Sequence, residues 1–126
     1  MFSHMMVGSN DLARSRTFYD AVFAALGAGP GMDDPRGRLI WSHANGRFLV
    51  TRPINGEPAS GGNGVTIGFA AADPAQVDAW HAAGLAAGGQ AIEDPPGERA
   101  FPGRRLYLAY LRDPDGNKLC ALHALA

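Results

Sequence analysis

A shift of 62 residues lays the first half of this chain over the second: His4-Met5-Met6-Val7 falls on Thr66-Ile67-Gly68-Phe69, Asp11 on Asp73, Phe18 on Trp80 and Gly27 on Gly89. Each half reads as a strand, a helix and a strand hairpin. A strand is predicted over residues 2–8, short, apolar and bounded by polar turn formers. Asp11 then caps a helix whose apolar residues Leu12, Tyr19, Val22, Phe23 and Leu26 fall roughly on one face, before Gly27, Gly29 and Pro30 end it. Strands over 38–44 and 47–53 flank Asn45-Gly46, a dipeptide whose residues both tolerate positive φ and therefore favour a two-residue hairpin turn. In the second half the strand is 65–70. Its helix opens on Asp73-Pro74-Ala75-Gln76, with a capping residue, proline at the first helical position and glutamine three residues on, and it stops near Gly88-Gly89. A loop over 93–105, rich in proline, glycine and charge, leads to a last hairpin.

That hairpin turns on Asp113-Pro114-Asp115-Gly116-Asn117. Pro114 presets φ, Gly116 takes the positive φ that other residues resist, and Asp113 and Asn117 can cap the turn with their side chains. Strands at 106–111 and 118–122 flank it. The turn thus occupies the place in the second half that Asn45-Gly46 holds in the first.

A chain of 126 residues fits one compact domain. The expected layout is a first module over about 1–54, a connector over about 55–63 and a second module over about 64–126. With 11 basic and 12 acidic residues, the net charge of −1 supplies no overall field for nucleic acid or anionic lipid. A single cysteine excludes a disulfide within the chain. No apolar run approaches the roughly 18 residues of a membrane span, so a cytoplasmic protein is expected.

The Asp113-Pro114-Asp115-Gly116-Asn117 hairpin before the last strand, within a repeated strand–helix–hairpin pattern, resembles the vicinal oxygen chelate superfamily, which holds glyoxalase I, bleomycin-resistance proteins and extradiol dioxygenases. The resemblance covers nearly the whole chain. It implies an α+β fold of two β-α-β-β-β modules, whose curved mixed sheets enclose a pocket with the helices outside, and a homodimer. In metal-using members four positions supply ligands. Carried over, they fall on His4, Val50, Thr66 and Cys120, leaving His4 and Cys120 as the only candidates for a residual site. A catalytic divalent ion normally needs about three protein ligands and an open position. No cofactor is therefore expected, and a divalent metal stands as the alternative.

Strand alternation then orients the remaining side chains, because residues two apart share a face. With Cys120 inward, pairing Arg112 with Lys118 places Tyr110 opposite Cys120, also inward. A turn centred on Asn45-Gly46 pairs His43 with Phe48 and Trp41 with Val50, so that Trp41, His43, Phe48, Val50 and Arg52 are expected on the inner face beside His4 and Thr66. The expected ligand-binding set is His4, Trp41, His43, Phe48, Arg52, Thr66, Tyr110 and Cys120, with Tyr110 and Cys120 as catalytic candidates. Arg52 can pair with a carboxylate or phosphate or lie solvated on the rim. Cys120 reads equally as a small buried hydrophobe. The expected function is a metal-independent binder of a compact, aromatic or anionic small molecule. The alternative is a metal-dependent enzyme, a glyoxalase-type lyase or isomerase (similar to lactoylglutathione lyase) or a dioxygenase.

Overall fold

A computed structural model describes residues 1–44 and 46–125. The elements run β1 (His4–Gly8), α1 (Leu12–Ala25), β2 (Met32–Asp33), β3 (Leu39–His43), β4 (Gly46–Thr51), β5 (Ile67–Ala70), α2 (Pro74–Ala86), β6 (Gln90–Phe101), β7 (Arg104–Arg112) and β8 (Lys118–Leu125). They form an α+β fold of two four-stranded mixed sheets, ordered β1-β4-β3-β2 and β5-β8-β7-β6. In each sheet the opening strand runs parallel to the last, β1 beside β4 and β5 beside β8, and the other pairings are antiparallel.

Local chemistry sets the helix ends. Asp11, extended at φ −150°, accepts the Arg14 N–H at 3.0 Å, and Asp73 accepts the Gln76 N–H at 2.8 Å. Gln76 Oε1 turns back to the Ala72 N–H at 2.7 Å, satisfying one more donor ahead of the helix. After α1 the chain reverses at Gly27, whose φ of +90° suits a residue without Cβ, and the Ala28 N–H closes the end on Phe23 O.

The two helices pack on each other and bury one face of each sheet. Phe18, Tyr19, Val22 and Phe23 of α1 and Val77 and Trp80 of α2 join Val7, Leu39, Trp41, Phe48 and Val50 of the first sheet and Ile67, Ala109, Leu111, Leu119 and Ala121 of the second in one core. Gly84 lets the helices close: a Cβ there would strike Leu111 and crowd Val22. On the opposite face of the second sheet Leu106, Leu108 and Cys120 form a smaller cluster with Tyr110 and Leu122.

Three expectations are corrected. The first hairpin pairs Trp41 with Phe48 and His43 with Gly46, so Ala44, at φ +49°, and Asn45 connect the strands; Asn45 itself lies outside the described residues. Gly46 already belongs to β4. The stretch 93–105 is mostly strand, because Arg104–Arg112 offers β6 a long edge to pair with. Pro95 and Pro96 are tolerated inside β6 because the register shifts between Ile92 and Gly97, where the bulged residues owe no hydrogen bond to the ladder. A two-residue strand, β2, was not expected.

Candidate functional site

The last hairpin has the register its turn predicts, with Arg112 opposite Lys118 and Tyr110 opposite Cys120. Asp113 and Asn117 of the turn are buried, and the turn's side chains bond to the first half of the chain and to one another. Asp113, 4% exposed, accepts from Tyr19 OH at 2.5 Å, from the Asp115 and Asn117 N–H groups at 2.9 Å and from Asn117 Nδ2 at 2.8 Å. Asp115 accepts from the Asn10 N–H and Arg14 Nη2, both at 2.9 Å, and from Ser15 Oγ at 3.2 Å. Burial, and then the Asp113 charge, raise the Tyr19 hydroxyl well above its ordinary pKa, which keeps it a donor. The sequence feature that carries the resemblance is therefore a clamp between the two halves.

The expected inner face divides in two. Tyr110 and Cys120 lie on the face of the second sheet that points away from the helices. Residues 93–95 are held by side chains: Glu93 pairs with Lys118, whose Nζ stands 4.9 Å from the Tyr110 ring centroid, and Arg99 Nη2 donates to the Asp94 and Pro95 carbonyls at 3.1 and 3.0 Å. Burial pushes the Cys120 thiol up to about 11, so near neutral pH it is a protonated, weakly reactive group rather than a nucleophile. The Tyr110 hydroxyl is also raised, first by burial, then by Cys120 and Glu93.

Trp41 and Phe48 lie on the other side. Slipping the first hairpin by two residues keeps Trp41, His43, Phe48 and Val50 on a common face, but that face meets α1: Tyr19 lies 4.8 Å from Phe48 and 5.5 Å from Trp41, ring centroid to centroid. Gly46 already lies in β4, paired with His43, so it is not the equivalent of Gly116, and Val50 is not the equivalent of Cys120. The ladders supply the true equivalence. Met6 pairs with Leu49 as Gly68 pairs with Cys120, so Leu49 rather than Val50 corresponds to Cys120. The four implied metal positions thus become His4, Leu49, Thr66 and Cys120. Leu49 has no donor atom, Thr66 offers only a weak hydroxyl, and the Cys120 thiol is held protonated. This donor set does not fit a divalent ion. Among the described residues no three His, Cys, Asp or Glu side chains come together as a metal-binding group.

Four of the eight expected ligand-binding residues do meet. His4, Trp41, His43 and Phe48 line a cavity of about 300 Å³ between the start of β1, the tip of the β3–β4 hairpin, the end of α1 and the whole of β5. Its walls are nearly all carbon, with Phe23, Leu26, Ile67 and Phe69 completing the apolar floor. Arg52 and Thr66 are exposed and outside it. The cation at its rim is instead Arg47, opposite His4 in the parallel ladder. Phe69 and Ile67 could have been found by extending the strand alternation to β5. Arg47 could not, because it enters only through the β1–β4 pairing.

This fold, with a repeated β-α-β-β-β unit, a buried aspartate-rich hairpin and an apolar pocket, defines a class of paired-module α+β proteins. The chain belongs to the Glyoxalase/Bleomycin resistance protein/Dioxygenase superfamily, whose family model matches residues 1–121. It is similar to the crystal structure of a glyoxalase/bleomycin resistance protein from Albidiferax ferrireducens T118, with 58% identity, 98% of each chain covered and a TM-score of 0.94. A glyoxalase/bleomycin resistance protein/dioxygenase family enzyme from Burkholderia phytofirmans PsJN (19% identity, 98% of each chain, TM-score 0.75) shares the fold. So does a lactoylglutathione lyase from Agrobacterium tumefaciens (21% identity, 97% of this chain and 92% of that one, TM-score 0.66). No curated protein matches the chain. No helix among the described residues is long and apolar enough to cross a membrane.

Proposed function

We propose that this protein is a metal-independent binder of a compact aromatic small molecule. The observation that carries the reading is the aromatic cavity, whose volume of about 300 Å³ lies at the lower end of the ligand-pocket range of roughly 300–1,000 Å³. Apolar walls with a few polar groups at one end are the usual make-up of such a site. The poor donor set at His4, Leu49, Thr66 and Cys120 favours binding without a metal over a metal-dependent lyase or dioxygenase. Part of this proposal is a cytoplasmic homodimer of single-domain chains. Strands β1, β2, β5 and β6 leave open sheet edges that a second copy would help to cover.

Thermal unfolding against a panel of mono- and bicyclic aromatic compounds tests the reading, with and without prior dialysis against a chelator. A compound at about 100 times its Kd is expected to stabilise the fold by about 2.7 kcal/mol, saturably and equally in both preparations. Tightly held metal near one per chain, with stabilisation or turnover lost on chelation, would overturn it.

A further inference from the structure

Resting on that cavity being the ligand site, we infer that its ligand is a planar bicyclic aromatic carboxylate, seated ring-first with the carboxylate at Arg47. Size sets the ring system. An apolar cavity of about 150 Å³ accommodates benzene, and this one is about 300 Å³, room for two fused rings. The walls set its character. Phe69 stands edge-on to Phe23 (centroids 5.2 Å apart, planes at 86°) and to Phe48 (5.5 Å, 73°), an arrangement that a further aromatic ring extends.

Polarity is excluded from the depth of the cavity. The one polar atom of Trp41, Nε1, donates to Asp20 Oδ1 at 2.9 Å and so is already engaged. A polar group carried to the floor would lose its water without gaining a partner. The handle must therefore sit at the mouth. Among the described residues no carboxylate lines the cavity, while Arg47 and His4 stand side by side on its rim with His43 nearby. Among the described residues Arg47 forms no ion pair, unlike Arg14, Arg16, Arg38 and Arg105. Its planar guanidinium matches a carboxylate through two parallel hydrogen bonds.

Isothermal titration calorimetry of the full chain with 2-naphthoate, its neutral analogue 2-naphthalenemethanol and benzoate tests the inference. 2-Naphthoate is expected to bind about tenfold tighter than either of the other two, the alcohol lacking the charge and benzoate the second ring. Arg47→Gln should erase the preference for naphthoate over the alcohol. Ala28→Trp, at a half-buried lining position, should abolish binding of both naphthyl compounds, and Ala70→Trp repeats that test from an exposed lining position. Equal affinity for naphthoate and the alcohol, or a preference that survives Arg47→Gln, overturns the carboxylate assignment and leaves the cavity as a ligand site. Benzoate binding as tightly as naphthoate overturns the bicyclic assignment alone. No binding by any of the three, or binding indifferent to both tryptophan variants, overturns the ligand-site reading as well.

Discussion

The turn between β3 and β4 and the turn between β7 and β8 hold equivalent places in the repeat, but among the described residues only those of the second are hydrogen-bonded into the opposite half of the molecule. Asp113, Asp115 and Asn117 reach Tyr19, Asn10, Arg14, Ser15 and the Gly8 carbonyl, so the end of β1 and the start of α1 are fastened to the turn. By the same repeat, Gly8 corresponds to Ala70, and the first turn faces Phe69 and Ala70 across the aromatic cavity. Of the described residues at that turn, Ala44 and Gly46 have no polar side-chain group. Among the described residues, one seam between the halves is closed by a polar network, and the other borders a cavity lined mainly by carbon. A buried polar seam must be complete to be stable, whereas an open apolar one leaves carbon surface in water that a fitting molecule can cover.

The largest expected effect therefore belongs to the closed seam. Asp113→Ala removes the acceptor for four hydrogen bonds and strands Tyr19 OH and the Asn117 backbone N–H in the interior. Each buried donor left without a partner costs about 1–3 kcal/mol, and at least two are left here, a loss read as a drop in the urea midpoint. The same seam has an alkaline signature. The Tyr19 pKa is raised in the folded state above the ordinary 10.0, so above about pH 10 the folded state holds more protons than the unfolded one. Stability from this group is complete below that pH and falls as pH rises through it. Tyr19→Phe should flatten the fall, although Tyr107 and Tyr110, also raised, retain part of the slope. An Asp113→Ala protein as stable as the parent would remove the distinction between the two turns.

A smaller effect is expected where the connector before β5 meets the closed seam. A Cβ on Gly61 would collide with the Gly116 carbonyl, a backbone atom that cannot swing aside, while a Cβ on Gly46 in the first hairpin meets nothing within 4 Å. Gly61→Ala should cost about 1–3 kcal/mol, the usual range for overpacking, and Gly46→Ala close to nothing. Equal losses in the two variants, measured by urea unfolding, would mean that the first turn is as tightly packed as the second.

Legibility followed the same division. The repeat, both capped helices and the last hairpin with its register were readable because capping residues, glycine and alternation act within a few residues of themselves. Asp113-Pro114-Asp115-Gly116-Asn117 set Tyr110 opposite Cys120 by turn length alone. The first hairpin misled because Asn45-Gly46 is a strong local turn signal that the structure uses one residue off centre, with Ala44 taking positive φ. The slip of two spared the side-chain alternation, so the error lay in which side faced α1. That is decided by Tyr19 and Phe23 packing on Trp41 and Phe48, contacts distant in sequence. The cavity was half visible for the same reason: His4, Trp41, His43 and Phe48 were named, while Arg47 and the floor from α1 and β5 depend on how the halves meet.

The smallest expected effect has the opposite sign. Ala44 holds φ +49° in the left-handed region, where an L side chain costs roughly 1 kcal/mol or more. Glycine relieves that cost but gives the unfolded chain more freedom, worth about 0.4–1 kcal/mol in the other direction. Ala44→Gly should therefore leave stability unchanged or raise it by about 0.5 kcal/mol, a shift in Tm of about 2 °C upward. The sign is informative because a turn bound into its surroundings has its backbone fixed by those contacts and gains little from glycine. A loss of 1 kcal/mol or more in Ala44→Gly would show the Ala44 methyl packing against something that holds the first turn. The open seam, and the cavity behind it, would then be narrower in solution than the geometry of β5 and the hairpin tip implies.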